Sequence, residues 1–336
     1  MKSAKIVGTG MYAPEKIVDN QFFNDKYKVD IDTFLRTKRN IFQRHYMAED
    51  QATSDLIVPA AREALQNAGL TPEQIDLLIV ATDTPDYLSP STASVVQFKL
   101  GLKNAGTFDL NAACAGFVTA LDVASKYIKS DSRYKNVLVV GAYGMTKYLN
   151  WDDYKIASLF ADGAGAVVLQ ASDDPADKDI GVLSSQMYSD GQYHDYMGIY
   201  GGGTYRPVTQ DVIEKKKHLL DFSKKIPLEI NGNEWTRLAN VVLDRAGARP
   251  GDAKYYFITQ INIQSIYEVM DKLGVDRSRS YNIMDRYGYT GSGCIPMAIA
   301  DAVKQHKLKR GDLIVMVGSG GGLSMASMAL RWGYDT

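Results

Sequence analysis

The feature that most constrains this chain is a segment that occurs twice. Residues 68–82 read AGLTPEQIDLLIVAT and residues 246–260 read AGARPGDAKYYFITQ. In each copy Ala-Gly closes a helix, a proline stands three residues after the glycine, and a buried strand follows. The parallel continues downstream. Lys99-Leu100-Gly101 and Lys272-Leu273-Gly274 end the next helix, and Phe108–Leu110 and Tyr281–Ile283 read as short strands. Val140-Gly141 and Val317-Gly318 close the two halves in the same way. The runs at 77–81, 137–140 and 313–317 are apolar without alternation, as in strands covered on both faces. Between them lie segments of helical period such as Ser54 to Ala68, with Leu56, Ala60, Ala64 and Ala68 on one face. This order predicts an α/β protein of two duplicated halves, residues 1–172 and 173–336. In such sheets chemistry collects at the carboxyl ends of strands, which directs attention to 82–90, 111–116, 259–264, 287–293 and 318–324.

Composition narrows the function classes. With 45% apolar and 23% charged residues the chain has the make-up of a globular protein. Its 38 Lys+Arg against 39 Asp+Glu lack the basic excess that nucleic-acid binding needs. No apolar run approaches the ~20 residues of a membrane-spanning helix. The N-terminal residues meet Gly and Pro before a signal-peptide core can form, so a soluble, cytoplasmic protein is expected. Two cysteines, Cys114 and Cys294, exclude a disulfide framework and fit a reducing compartment. No metal-ligand spacing is present, and no metal is expected.

Cys114 follows a strand end near Leu110 and precedes a helix expected to begin at about Cys114. A thiol at a helix N-terminus is biased toward thiolate. Ala112, Ala113, Ala115 and Gly116 leave room for a substrate beside the sulfur. A buried cysteine acting as a small hydrophobe is the alternative, and the residues alone leave the two open.

The segment around Cys114 resembles the nucleophile elbow of the thiolase superfamily, specifically its ketoacyl-acyl-carrier-protein synthase III branch. Other motifs follow in that family's order: Gly8-Thr9-Gly10 with Pro14, Arg44-His45, Phe160 to Ala166, Ser189-Asp190-Gly191, and Gly320-Gly321-Gly322. The resemblance spans nearly the whole chain. It implies a thiolase-like fold in α/β/α/β/α layers and an acyltransferase in which Cys114 takes an acyl group from a thioester. The oxyanion would be held by the backbone N–H groups of Cys114 and Gly321. No permanently bound cofactor is implied. Coenzyme A or phosphopantetheine thioesters are the substrates, acyl-carrier protein a partner, and a homodimer the usual assembly, with a ketosynthase heterodimer as the variant.

Departures from the family pattern fall on the second half-reaction. Thr259, in Thr259-Gln260-Ile261-Asn262, stands where the family has its catalytic His. Tyr289, in Gly288-Tyr289-Thr290-Gly291, stands where it has Asn. Both hydroxyls can donate hydrogen bonds, but neither is a base near pH 7. For the thioester arm the resemblance implies Asn233 and Asn262. Phe34 and Tyr154 flank the expected adenine site, and Lys38 lies by the phosphates. Gln264 replaces the carrier-docking Arg, which weakens carrier docking. Of the histidines, His194 is the one whose segment passes near the acyl pocket, though a surface or hydrogen-bonded loop His is the favoured reading. The leading expectation is therefore an acyltransferase with a changed acceptor, in fatty-acid-like, polyketide or other specialised metabolism. Decarboxylative condensation with a malonyl thioester is the first alternative, and a catalytically degenerate partner subunit the second.

Overall fold

A computed structural model describes residues 2–336. The first half contributes β1 (Ser3–Tyr12), β2 (Lys16–Asp19), β3 (Gln43–Tyr46), β4 (Leu77–Ala81), β5 (Gly106–Leu110), β6 (Asn136–Gly144) and β7 (Asp162–Ser172). The second contributes β8 (Gly181–Ser189), β9 (Ala253–Ile258), β10 (Leu313–Gly320) and β11 (Ser324–Arg331). β2 and β3 form a small antiparallel ribbon. The other strands make two sheets, ordered β1-β7-β6-β4-β5 and β8-β11-β10-β9. In the first, β1/β7 and β7/β6 are antiparallel and β6/β4/β5 parallel. In the second, β8/β11 and β11/β10 are antiparallel and β10/β9 parallel. The two halves thus repeat one winding, as the duplicated segments predict.

One expected strand does not form. Tyr281–Ile283, the counterpart of β5, joins no ladder, and an isolated bridge between Tyr256 and Ser280 lies just before it. The side chain of Gln260 occupies its backbone groups instead, its Oε1 accepting from the Ile283 N–H at 2.8 Å and its Nε2 donating to the Tyr281 carbonyl at 3.4 Å. A side chain satisfying those groups removes the need for a ladder.

Helices complete five layers. Thr53–Ala68 and Thr92–Leu100 cover the outer face of the first sheet, Gly116–Ser130 and Cys294–Lys304 lie between the sheets, and Leu228–Arg245 with Ile263–Leu273 covers the second sheet. The central helix Gly116–Ser130 buries Phe117, Val118, Ala120, Leu121, Ala124 and Ile128, because it faces a sheet on both sides. Close packing explains the opening motif. A Cβ at Gly8 would lie 2.3 Å from the Ala64 carbonyl oxygen, and one at Gly10 2.2 Å from that of Ala60. The small face Ala60/Ala64/Ala68 and the two glycines are one contact, not separate signals. Among the described residues no helix is long and apolar enough to cross a membrane.

Candidate active site

Cys114 sits where the strand ends of both halves meet. The chain leaves β5 at Leu110, turns tightly and enters the helix at Gly116, two residues later than expected. The turn is held by the Asn111 side chain, which accepts from the Ala113 N–H at 3.0 Å, and by Gly116 N–H donating to the Ala113 carbonyl at 2.9 Å. Ala113 has φ +46°, the left-handed region that costs a non-glycine residue about 1–3 kcal/mol. The strained turn presents Cys114 to the second half. That half closes down on it. A Cβ at Gly320 would lie 2.4 Å from the Cys114 backbone nitrogen, so the end of β10 approaches the nucleophile only because the position is glycine.

Cys114 and Gly321 both line a cavity of about 260 Å³, with Gly322 beside them. Met145, Phe160, Met197, Ile199 and Leu220 give it apolar walls, while Asp83, Asn111, Tyr143, His194 and Tyr200 bring polar groups to it. The thiol is 4% exposed. Burial raises it well above the ordinary thiol range and the nearby Asp83 carboxylate adds to this, while hydrogen bonds from Tyr289 and from its own backbone N–H oppose both. The expectation of a thiolate is therefore corrected: at rest the group is a thiol, since desolvation outweighs the helix end.

Tyr289 is fully enclosed, packed with its ring centre 5.5 Å from that of Phe160 and 6.5 Å from that of Tyr143. Its hydroxyl lies against the Cys114 thiol, near enough for each group to shift the other. Burial and the neighbouring thiol hold the phenol well above its usual value, so it stays protonated and can only donate or share its proton. Thr259 is placed differently. Its hydroxyl accepts from the Ser319 N–H at 2.8 Å and donates to the Ser319 carbonyl at 3.4 Å, and Thr259 does not line the cavity. In this structure its hydroxyl is engaged with the backbone of β10. His194 lines the cavity from an exposed loop, its Nδ1 3.1 Å from the Gly191 carbonyl oxygen. Cys294 is buried, and its thiol is pushed up to about 12 by that burial.

The residues expected to hold the thioester arm divide into two groups. Phe34 and Tyr154 do come together, across a second hollow of about 360 Å³. Its cations are Arg39 and Lys155, the chain neighbours of Lys38 and Tyr154, and not the exposed Lys38. The Arg39 guanidinium lies 5.4 Å from the Phe34 ring centre, and burial lowers it. Leu159 lines this hollow and Phe160 the Cys114 cavity, so consecutive residues form the partition between them. Asn233 and Asn262 line neither hollow. Asn233 accepts from Lys272 at 2.8 Å, while Asn262 caps the helix Ile263–Leu273 through the Gln264 N–H at 3.1 Å. Among the described residues no cluster of His, Cys, Asp or Glu could hold a metal ion.

Comparison with known proteins decides the family. A family model for 3-oxoacyl-[acyl-carrier-protein] synthase III matches residues 108–191, and the model of its C-terminal part matches residues 243–332. The chain is 36% identical over 333 residues to a β-ketoacyl-[acyl-carrier-protein] synthase III of Desulfitobacterium hafniense, covering 99% of this chain and 98% of the relative. The chain belongs to the 3-oxoacyl-[acyl-carrier-protein] synthase III family. This synthase III family member is an acyltransferase with the thiolase-like fold. A Listeria monocytogenes relative with the same description is 39% identical over 339 residues, covering 98% and 99% of the two chains. The crystal structure of the Pseudomonas aeruginosa 3-oxoacyl-(acyl carrier protein) synthase III superposes with a TM-score of 0.89 at 30% identity, over 99% of each chain. The priming β-ketosynthase of the R1128 polyketide pathway superposes with a TM-score of 0.87 at 28% identity, covering 99% of this chain and 97% of that one.

Proposed function

We propose that the chain forms an acyl-Cys114 thioester and condenses that acyl group with a malonyl thioester. The Cys114 sulfur attacks the donor carbonyl, the donor thiol leaves with the proton the cysteine gives up, and the oxyanion lies between the N–H groups of Cys114 and Gly321. Loss of carbon dioxide from the malonyl group leaves an enolate, whose carbon attacks the acyl carbonyl. The Cys114 thiolate departs, takes a proton and is ready again. Breaking the carbon–carboxylate bond requires no base, only a donor for the enolate oxygen. The observation that carries this reading is the protonated Tyr289 phenol held against the sulfur. Once Cys114 is acylated, that O–H is free to turn to the second thioester. The descriptions of the relatives support the same reaction.

The hollow between Phe34 and Tyr154 suits a flat base, with Arg39 and Lys155 available to phosphates, which supports coenzyme A as donor. A second copy of the chain is the proposed partner: β5 is an edge strand, and Leu88 and Phe98 are 87% and 84% exposed. A second reading, transfer to a hydroxyl or amine acceptor, draws support from one observation, that Thr259 has no hydroxyl donor left to offer. Supplying acylated enzyme with a carboxyl-labelled malonyl thioester tests the choice. Release of labelled carbon dioxide with a 3-oxoacyl product supports condensation. Its absence, with acyl transfer to added hydroxyl or amino compounds, supports the second reading.

A further inference from the structure

Asp83 is the one acidic side chain on the wall of the Cys114 cavity. It follows β4 directly, and its neighbours fix its backbone. Thr84 Oγ1 accepts from the Gly144 N–H at 2.9 Å, the Thr84 N–H donates to Thr82 Oγ1 at 3.0 Å, and Thr53 Oγ1 donates to the Thr84 carbonyl at 2.6 Å. The Asp83 side chain has no such anchor: its Oδ1 is buried without a hydrogen-bond partner among the described residues. Burial pushes the Asp83 carboxyl up to about 6, and its charge in turn raises Cys114.

A buried carboxylate oxygen left without a hydrogen-bond partner is costly. Beside a thiol that must lose its proton it also works against the reaction. A ligand that brings a hydrogen-bond donor to Oδ1 relieves the first penalty, and a cationic amino group also offsets the charge that acts on the thiol. We infer that Asp83 selects donors whose acyl group carries a hydroxyl or amino substituent. This rests on the reading of Cys114 as the acyl carrier and adds which acyl group it carries. Met145, Phe160, Met197 and Leu220 pack the carbon chain, and the Asp83 carboxylate reads its polar substituent. A site built to bond a polar substituent rejects the plain analogue, because its own buried groups are then left unpaired.

The test measures the rate of acyl-Cys114 formation by intact-protein mass spectrometry with butyryl-, 3-hydroxybutyryl- and 3-aminobutyryl-coenzyme A. The wild type should be acylated about 10- to 100-fold faster by at least one substituted donor than by the butyryl donor. Asp83→Leu should abolish that preference while still accepting butyryl, and Asp83→Asn, which keeps an acceptor oxygen, should retain part of it. Equilibrium binding of the three donors to Cys114→Ala should follow the same order. A wild type that prefers butyryl, or an Asp83→Leu variant that keeps the wild-type preference, overturns the assignment. Absence of any Cys114 adduct, with the binding order preserved in Cys114→Ala, contradicts the acyl-carrier reading and leaves the recognition by Asp83 supported. Loss of both the adduct and the binding order overturns both.

Discussion

The Tyr289 hydroxyl lies against the Cys114 thiol, and both residues are all but shut off from solvent. The contact joins a residue of the second half to the nucleophile of the first. It also sets the order of events, because the phenol is occupied at the sulfur until Cys114 is acylated.

Tyr289→Phe removes only the donor. Acylation of Cys114 should persist, while condensation with a malonyl thioester should fall about 100-fold, the usual loss for one oxyanion donor. Separate measurement of acyl-enzyme formation and carbon dioxide release checks this, and an equal loss in both steps would contradict it.

Asp83 raises Cys114, so neutralising it should have the opposite effect. Asp83→Asn is expected to speed alkylation of Cys114 by iodoacetamide at pH 8 several-fold, up to tenfold for each unit by which the thiol is lowered. The pH profile of alkylation in the two proteins is the measurement. Coincident profiles would show that the carboxylate does not act on the sulfur.

The same substitution has a stability signature. With its carboxyl at about 6 in the folded chain and ~3.9 when unfolded, Asp83 contributes most below about pH 4. That contribution is lost as pH rises through 6. Asp83→Asn should therefore gain on the wild type by about 2 kcal/mol at pH 8 and by much less at pH 4. Urea unfolding at the two pH values checks the sign.

Gly320→Ala would drive a methyl group into the Cys114 backbone. Displacing the nucleophile by even about 1 Å should lower acylation on the order of 100-fold, with the fold retained. Circular dichroism together with the acylation rate distinguishes this from simple unfolding.

Much of this architecture was legible in the sequence because its signals are local. The repeated Ala-Gly-x-x-Pro unit marks helix ends and strand starts, so the twofold winding could be read from it. Cys114 was legible for the same reason, flanked by small residues at a strand-to-helix junction. Its protonation state was not, since burial is a sum over residues from both halves. Phe34 and Tyr154 were recognised as a pair, yet the cations beside them are Arg39 and Lys155, one residue from two expected positions. Side-chain direction decides that, and spacing in a short irregular segment does not. Asp83 lay in a strand-end window without being singled out. The available signal was an acidic residue between two threonines directly after a fully buried strand. The cavity walls at Met197, Ile199 and Leu220 come from a long irregular stretch with no periodicity to read.

The most direct test of the account is intact-protein mass spectrometry after incubation with acyl-coenzyme A donors, comparing the wild type with Cys114→Ala. A mass gain equal to one acyl group, present in the wild type and absent in the variant, is the predicted result. No gain with any donor, or a gain that persists in Cys114→Ala, would contradict the assignment of Cys114 as the acyl carrier.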